Sequence, residues 1–280
     1  MISKRDFKYL YDDIHILYYG EWFDKTKTRM NLTRENYAQI DKKSYSEKPD
    51  IILKRWEDLK KQKETKHFED AFIRICPLGL KYDVINNEVF LSDEYCQKYQ
   101  ELCLKNYDLN IKFIKNLNAD DFNKKISSIV KKYKMIEIQK LYECKNQKGI
   151  YLAVLDNYKQ VYIGQSVRDL RARILTHWRI KPKFDKTLVG KYDETPISYN
   201  SFGILDTTRI FVIFEENKEK IDKIEKELTM KIPLKYQTNI TGGGIHWDSI
   251  DDIFEMVNTT NRRNFKENKS RRRKIFKKYK

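Results

Sequence analysis

Apolar and polar positions alternate most regularly in residues 149–178, GIYLAVLDNYKQVYIGQSVRDLRARILTHW. Leu152, Val154 and their neighbours read as one strand and Gln160 to Ile163 as a second, with Asp156-Asn157 suited to the turn between them. Gly164 and Ser166 break that pattern, and Leu170, Ile174 and Trp178 then recur at helical spacing. Four residues apart, Arg173 and His177 share a face of such a helix. The pattern thus sets a ribbon carrying Tyr151 and Tyr162 against a helix carrying Arg173 and His177. A guanidinium binds phosphate, and phenol and imidazole groups move protons, so the set has the chemistry for a phosphodiester.

Upstream, Tyr9, Tyr11, Ile14, Leu17 and Tyr18 fit one face of a helix that Gly20 ends. Pro49-Asp50 suits a second helix start, with Ile52, Trp56 and Leu59 on its inner face. His67 has no second ligand at useful spacing and reads as structural or exposed. Residues 71–91 read as extended, with turns at Pro77-Leu78-Gly79 and Asn86-Asn87. Ser92 suits the cap of a helix containing Tyr95, Tyr99 and Leu102. Further helices are expected from Tyr107 to Ile114 and from Ala119 to Tyr133, the latter with Phe122, Ile126, Ile129 and Tyr133 on one face. The expected organisation is an accessory or recognition region at 1–140, mainly helical, then a core at 141–245.

Within that core, residues 179–199 read as a polar loop insertion, and Ile210 to Phe214 as a strand near the sheet centre. A helix is expected across 217–232, with Ile221, Ile224 and Leu228 inward and Pro233 at its end. A basic extension, 246–280, follows; its last 19 residues hold 11 Lys or Arg and one acidic residue.

The net charge of +16 favours a polyanionic partner, most simply nucleic acid. Lys181, Lys183, Arg262, Arg263, Arg271, Arg272 and Arg273 are the candidate DNA contacts; a merely solvated loop and a solubilising tail are the alternatives. The four cysteines form no close pair and read as free thiols. The charged start MISKRDFKYLYDDIH lacks an apolar signal core, and no run of the sequence is long and apolar enough to span a bilayer, so a cytoplasmic location is the expectation.

In its residues the core resembles the GIY-YIG nuclease superfamily. Gly149-Ile150-Tyr151 matches the first signature and Tyr162-Ile163-Gly164 the second, and Arg173 and His177 follow at the family's spacing. The resemblance spans roughly residues 141–240. It implies an α/β fold, a three-stranded antiparallel sheet flanked by helices, and hydrolysis of DNA with one divalent cation, Mg²⁺ or Mn²⁺. Two glutamates compete for the family's acidic position: the LE-x-x-L pattern and Pro233 favour Glu225, while the spacing back from Asn239 favours Glu227. Glu225 is the first choice.

On this resemblance Glu225 holds the cation, Arg173 binds phosphate oxygens, Tyr151 is the preferred general base, His177 relays a proton or orients Tyr151 or water, Tyr162 positions water or phosphate, and Asn239 holds the loops. The contexts HWRIKPKFD and SFGILDTTRIF look similar to type II restriction endonucleases of the superfamily, which implies sequence-specific cutting of both strands by a homodimer. A mobile-element or repair endonuclease and an inactive DNA-binding module are the alternatives.

Overall fold

The computed structural model describes residues 8–10, 15–24, 31–40, 82–85, 88–179, 182, 184, 187–188 and 196–239. In chain order these form β1 (Lys8–Leu10), β2 (His15–Tyr18), β3 (Glu21–Asp24), α1 (Arg34–Tyr37), β4 (Tyr82–Ile85), β5 (Glu88–Leu91), α2 (Asp93–Lys115), α3 (Ala119–Lys132), β6 (Ile136–Glu137), β7 (Gly149–Leu155), β8 (Gln160–Ser166), α4 (Leu170–Arg179), β9 (Arg209–Phe214) and α5 (Lys218–Lys231). The chain is mixed α/β and divides into two compact units: residues 1–32, 110–181 and 196–280 make one, and 33–109 with 182–195 the other. The expected helix at residues 49–59, His67, the extended run 71–81, Lys181, Lys183 and the basic extension 246–280 lie outside the described residues.

The first unit contains an antiparallel sheet in the order β6-β9-β7-β8. Four strands replace the expected three, because two residues of β6 add to the far side of β9. One face of this sheet is mainly apolar. Ile150, Leu152, Val154, Val161, Ile163 and Phe211 pack there against Ile221, Leu228 and Ile232 from α5 and its end, and against Phe122, Ile126 and Ile129 of α3. Period-2 alternation sends the intervening residues, Tyr151 and Tyr162 among them, to the opposite face. Gly149 is obligatory in this geometry: its φ is +139°, and a Cβ there would lie 1.9 Å from the Ile213 carbonyl oxygen of β9.

Strand β8 lies at the sheet edge, where its outward backbone groups need partners. Residues 237–239 supply them. Val161 and Gln237 form a parallel bridge, Thr238 N–H donates to the Val161 carbonyl at 2.9 Å, and Asn239 clamps Ile163.

The expected helix at residues 9–18 is not formed; β1, β2 and β3 make an antiparallel meander instead. Tyr19 and Gly20, with φ of +50° and +76°, form the two-residue turn of the β2–β3 hairpin. That turn matches the twist of paired strands, and aromatic and β-branched flanks favour the pleated state. Five strands precede α2 among the described residues, although helix, chiefly α2 and α3, still outweighs strand in the N-terminal region. The meander is fixed to α4 by the bidentate pair Arg171–Glu21 and by Tyr19 stacked on Trp178, ring centroids 5.7 Å apart.

In the second unit β4 and β5 pair antiparallel, with Ile85 across from Glu88; the turn expected at Asn86-Asn87 lies outside the described residues. Ser92 caps α2 through a bond from the Tyr95 N–H at 3.2 Å. The helices expected at 92–102 and 107–114 are one continuous element. No Gly or Pro interrupts Cys103 to Tyr107, and Asn106, instead of breaking the helix, is buried and accepts a 2.6 Å bond from the Tyr37 hydroxyl. Cys96 and Cys103 of this unit, and Cys144 of the first, are buried, and none of the three is in a disulfide among the described residues.

A buried carboxylate ties the loop before β9 to the rest of the first unit. Asp206 accepts from the Leu32 N–H at 2.7 Å, from the Gly203 N–H and from the Tyr158 hydroxyl at 2.9 Å. Asp206→Ala leaves those donors without their acceptor. It is expected to lower stability by about 3 kcal/mol, read as a reduced urea midpoint; an unchanged midpoint refutes the clamp.

Candidate active site

The cluster is assembled on the sheet face opposite the α3–α5 core. Tyr151 of β7 stands directly across from Gly164 of β8, and Tyr162 across from Ala153. Only glycine fits at 164, because a Cβ there would lie 2.4 Å from both Cζ and Oη of Tyr151. The glycine of the second signature is therefore the seat of the tyrosine of the first. Helix α4 brings His177 over this face. Its ring lies 4.9 Å from Tyr162, edge-on, and 6.4 Å from Tyr151, while the two tyrosine rings are 6.0 Å apart.

One turn before His177, Arg173 is exposed, and its charge acts on Tyr151, Tyr162 and His177. Glu225 of α5 is 5 % exposed, and its charge acts on both tyrosines. One carboxylate oxygen, Oε2, is buried with no hydrogen-bond partner among the described residues. Glu227, two residues on, faces elsewhere: it accepts from the Tyr133 hydroxyl at 2.9 Å and pairs with Lys231 at 3.3 Å. It is thus the charge of Glu225, and not that of Glu227, that acts on the two tyrosines.

Asn239 serves the cluster from behind. Its Oδ1 accepts from the Ile163 N–H at 3.0 Å, and its Nδ2 donates to the Ile163 carbonyl at 2.7 Å. The amide acts as one more strand residue and fixes the backbone between Tyr162 and Gly164.

Burial sets the proton affinities. It lifts the Tyr151 hydroxyl well above its usual 10, with the charges of Tyr162 and Tyr199 adding to the effect and Arg173 opposing it. At neutral pH Tyr151 is a proton-bearing phenol. Burial also holds His177 neutral, down to about 4, against a bond to Asn200 that raises it and with Arg173 lowering it further. The Glu225 carboxyl is pushed up to about 7, by burial first and then by Asp222, with Arg173 pulling the other way. A divalent cation fits this arrangement: it would satisfy the orphaned Glu225 oxygen and relieve the crowding of negative charge with Asp222. Asp222 is itself held, accepting from Gln165 Nε2 at 3.0 Å. No group of three or more His, Cys, Asp or Glu is placed to hold a metal among the described residues, so water and substrate oxygens would complete the ligand set around Glu225.

Two members of the cluster escaped the sequence reading. Tyr199 stacks on Tyr162 at 4.5 Å and 6°, and Asn200 Oδ1 lies 2.6 Å from His177 Nδ1. Both come from a short turn, Tyr199–Ser201, at the end of a segment that reads as a plain polar loop. The only local signal is Ser198, whose hydroxyl accepts the Asn200 N–H and starts that turn. Lys181, Lys183, Arg262, Arg263, Arg271, Arg272 and Arg273 lie outside the described residues. Neither a protein-family model, a curated protein nor a solved structure matches this chain.

Proposed function

We propose that the chain is a divalent-metal-dependent endonuclease that hydrolyses phosphodiester bonds of double-stranded DNA, and that it acts in sequence-specific restriction. The observation that carries this reading is the convergence of Tyr151, Tyr162 and His177 on one sheet face, with the charge of Arg173 acting on all three and that of Glu225 on the two tyrosines. The +16 net charge suits the substrate.

In this reading Arg173 grips a non-bridging phosphate oxygen. Its exposed guanidinium can do so without disturbing the buried rings. Tyr151 keeps its proton and donates a hydrogen bond toward the reacting phosphate. His177 is neutral and its buried Nε2 has no hydrogen-bond partner among the described residues, so the role of base passes from Tyr151 to His177. Its Nε2 takes the proton of the attacking water as the water oxygen bonds to phosphorus and the ester oxygen departs. The negative phosphate raises the affinity of His177 for that proton as substrate binds. Glu225 would hold a Mg²⁺ or Mn²⁺ ion, which when bound supplies positive charge for the phosphate and its leaving oxygen. Tyr162, clasped between His177 and Tyr199, positions water or phosphate.

Incubation of the full chain with supercoiled plasmid of mixed sequence and Mg²⁺ or Mn²⁺ tests the proposal. Discrete fragments with uniform termini are the expected result, with a homodimer cutting both strands. Preference for branched or damaged DNA would instead make it a repair enzyme, and cutting at one long rare site a mobile-element enzyme. Gel-shifted but intact plasmid would overturn the enzymatic reading and leave a binding module.

A further inference from the structure

His177 has two ring nitrogens with different surroundings. Nδ1 lies 2.6 Å from Asn200 Oδ1, whereas Nε2 is buried with no hydrogen-bond partner among the described residues. An amide oxygen has no hydrogen to give, so the hydrogen in this short contact belongs to Nδ1. Nε2 then carries a lone pair. The reverse arrangement would leave a buried N–H donor with no acceptor, which folded proteins rarely tolerate.

We infer that Asn200 is a positioning residue that fixes His177 in the Nδ1–H tautomer and so makes Nε2 the open proton acceptor of the cluster. The turn that carries Asn200 is itself rigid. The Tyr199 ring is packed flat against Tyr162, 4.5 Å away, and edge-on to His177 at 5.5 Å. The Tyr199 hydroxyl accepts from Trp178 Nε1 at 3.2 Å and bonds Thr207 Oγ1 at 3.1 Å. Trp178 follows His177 directly on α4, so the helix and the turn are joined on both sides of the imidazole.

Around the ring stand Arg173 from α4, Tyr151 from β7, Tyr162 from β8 and Tyr199 from the turn. No carboxylate makes a hydrogen bond or an ion pair with the ring among the described residues. A carboxylate on Nδ1 would hold the ring in a charged state. The neutral amide instead selects the tautomer and leaves the imidazole uncharged, which suits a base working beside Arg173.

The catalytic half of this inference rests on the phosphodiester-hydrolysis reading, and the tautomeric half does not. Nitrogen NMR of the full chain with ¹⁵N-labelled histidine separates the two. The chain has four histidines, and His177→Gln identifies the relevant signals by their loss. In the native protein Nδ1 is expected to give the protonated, pyrrole-type shift and Nε2 the unprotonated, pyridine-type shift.

Asn200→Ala is expected to move His177 to the Nε2–H form, or to a mixture, and to slow cleavage on the order of 100-fold. Asn200→Asp also accepts from Nδ1–H but favours the charged ring, so it is expected to restore the Nδ1–H, unprotonated-Nε2 pattern, and more cleavage than Asn200→Ala, only above the raised pH at which that ring gives up its second proton. A native Nε2–H form, or an Nδ1–H form unchanged in Asn200→Ala, overturns the inference. The expected tautomers with no cleavage by the native chain would overturn the nuclease reading while leaving the role of Asn200 in place.

Discussion

Glu225→Gln is expected to abolish plasmid cleavage and, in metal-free buffer at pH 8, to make the protein more stable. Both effects come from one buried carboxylate. In the fold its affinity for a proton is raised from the ordinary 4.5 to about 7, by burial first and by Asp222 second. A raised carboxyl means that the folded state prefers the protonated form. Below pH 4.5 the group is neutral whether folded or unfolded and costs nothing. As pH rises through about 7 the unfolded chain releases its proton readily and the folded chain does so at a cost. That cost is fully present above pH 7 and amounts to at most about 3 kcal/mol. Glutamine cannot ionise, so the variant is expected to gain part of this at pH 8 and none at pH 4.

Urea unfolding at the two pH values measures the difference. Equal midpoints at pH 8 would remove the physical basis of the claim. Millimolar Mg²⁺ is expected to stabilise the native chain at pH 8 and not the variant, because a cation offsets the same charge. Cleavage by Glu225→Gln should fall by at least about 1,000-fold, roughly 4 kcal/mol of transition-state stabilisation, while DNA binding persists. Glu227→Gln is the control. Its carboxylate is committed to Tyr133 and Lys231, and it should cut normally. Loss of cleavage in Glu227→Gln with full activity in Glu225→Gln would reverse the assignment.

The same pair shows what a sequence can and cannot disclose. Glu225 and Glu227 are two residues apart, so a helix points them about 200° from one another. The apolar positions Ile221, Ile224 and Leu228 locate the inner face but leave both glutamates at its margins. Only the packing of α5 on the sheet puts Glu225 at 5 % exposure and turns Glu227 toward Tyr133. Strands β7, β8 and β9 were legible because each has a run of apolar and aromatic residues, and α3 and α5 because their apolar positions recur at helical spacing. Strand β6 was not, since two residues carry no period. The β1–β3 meander was misread because its aromatic spacing fits a helix as well as a hairpin, and the Tyr19-Gly20 turn decides between them through backbone dihedrals. Tyr151, Tyr162, Arg173 and His177 were found from local spacing. Tyr199 and Asn200 were not, for they meet His177 only after a segment of some twenty residues returns to α4, and no local pattern encodes that return.

Gly164→Ala is expected to be the most damaging single-methyl change in the cluster. The paired register places residue 164 beneath the Tyr151 ring, and the added carbon would lie 2.4 Å from Cζ and Oη and 2.6 Å from Cε1. Neither side can yield easily. The β8 backbone is paired to β7 on one side and clamped by Asn239 on the other, and the Tyr151 ring is wholly buried. The ring must therefore tilt by the order of 1 Å, at an overpacking cost of about 1–3 kcal/mol. A displacement of that size at a reacting group is worth on the order of 100-fold in rate.

Tyr151→Phe separates the two consequences. It removes a buried hydroxyl that has no partner among the described residues, so its stability should be equal to or above native, while cleavage still falls. Gly164→Ala should lose both stability and cleavage; Tyr151→Phe should lose cleavage alone. Thermal unfolding and plasmid nicking on the two variants read the contrast directly. A Gly164→Ala protein with native stability and native cleavage would mean that Tyr151 does not rest on residue 164. The link between the two Tyr-and-Gly signatures would then have to come from something other than one seating the ring of the other.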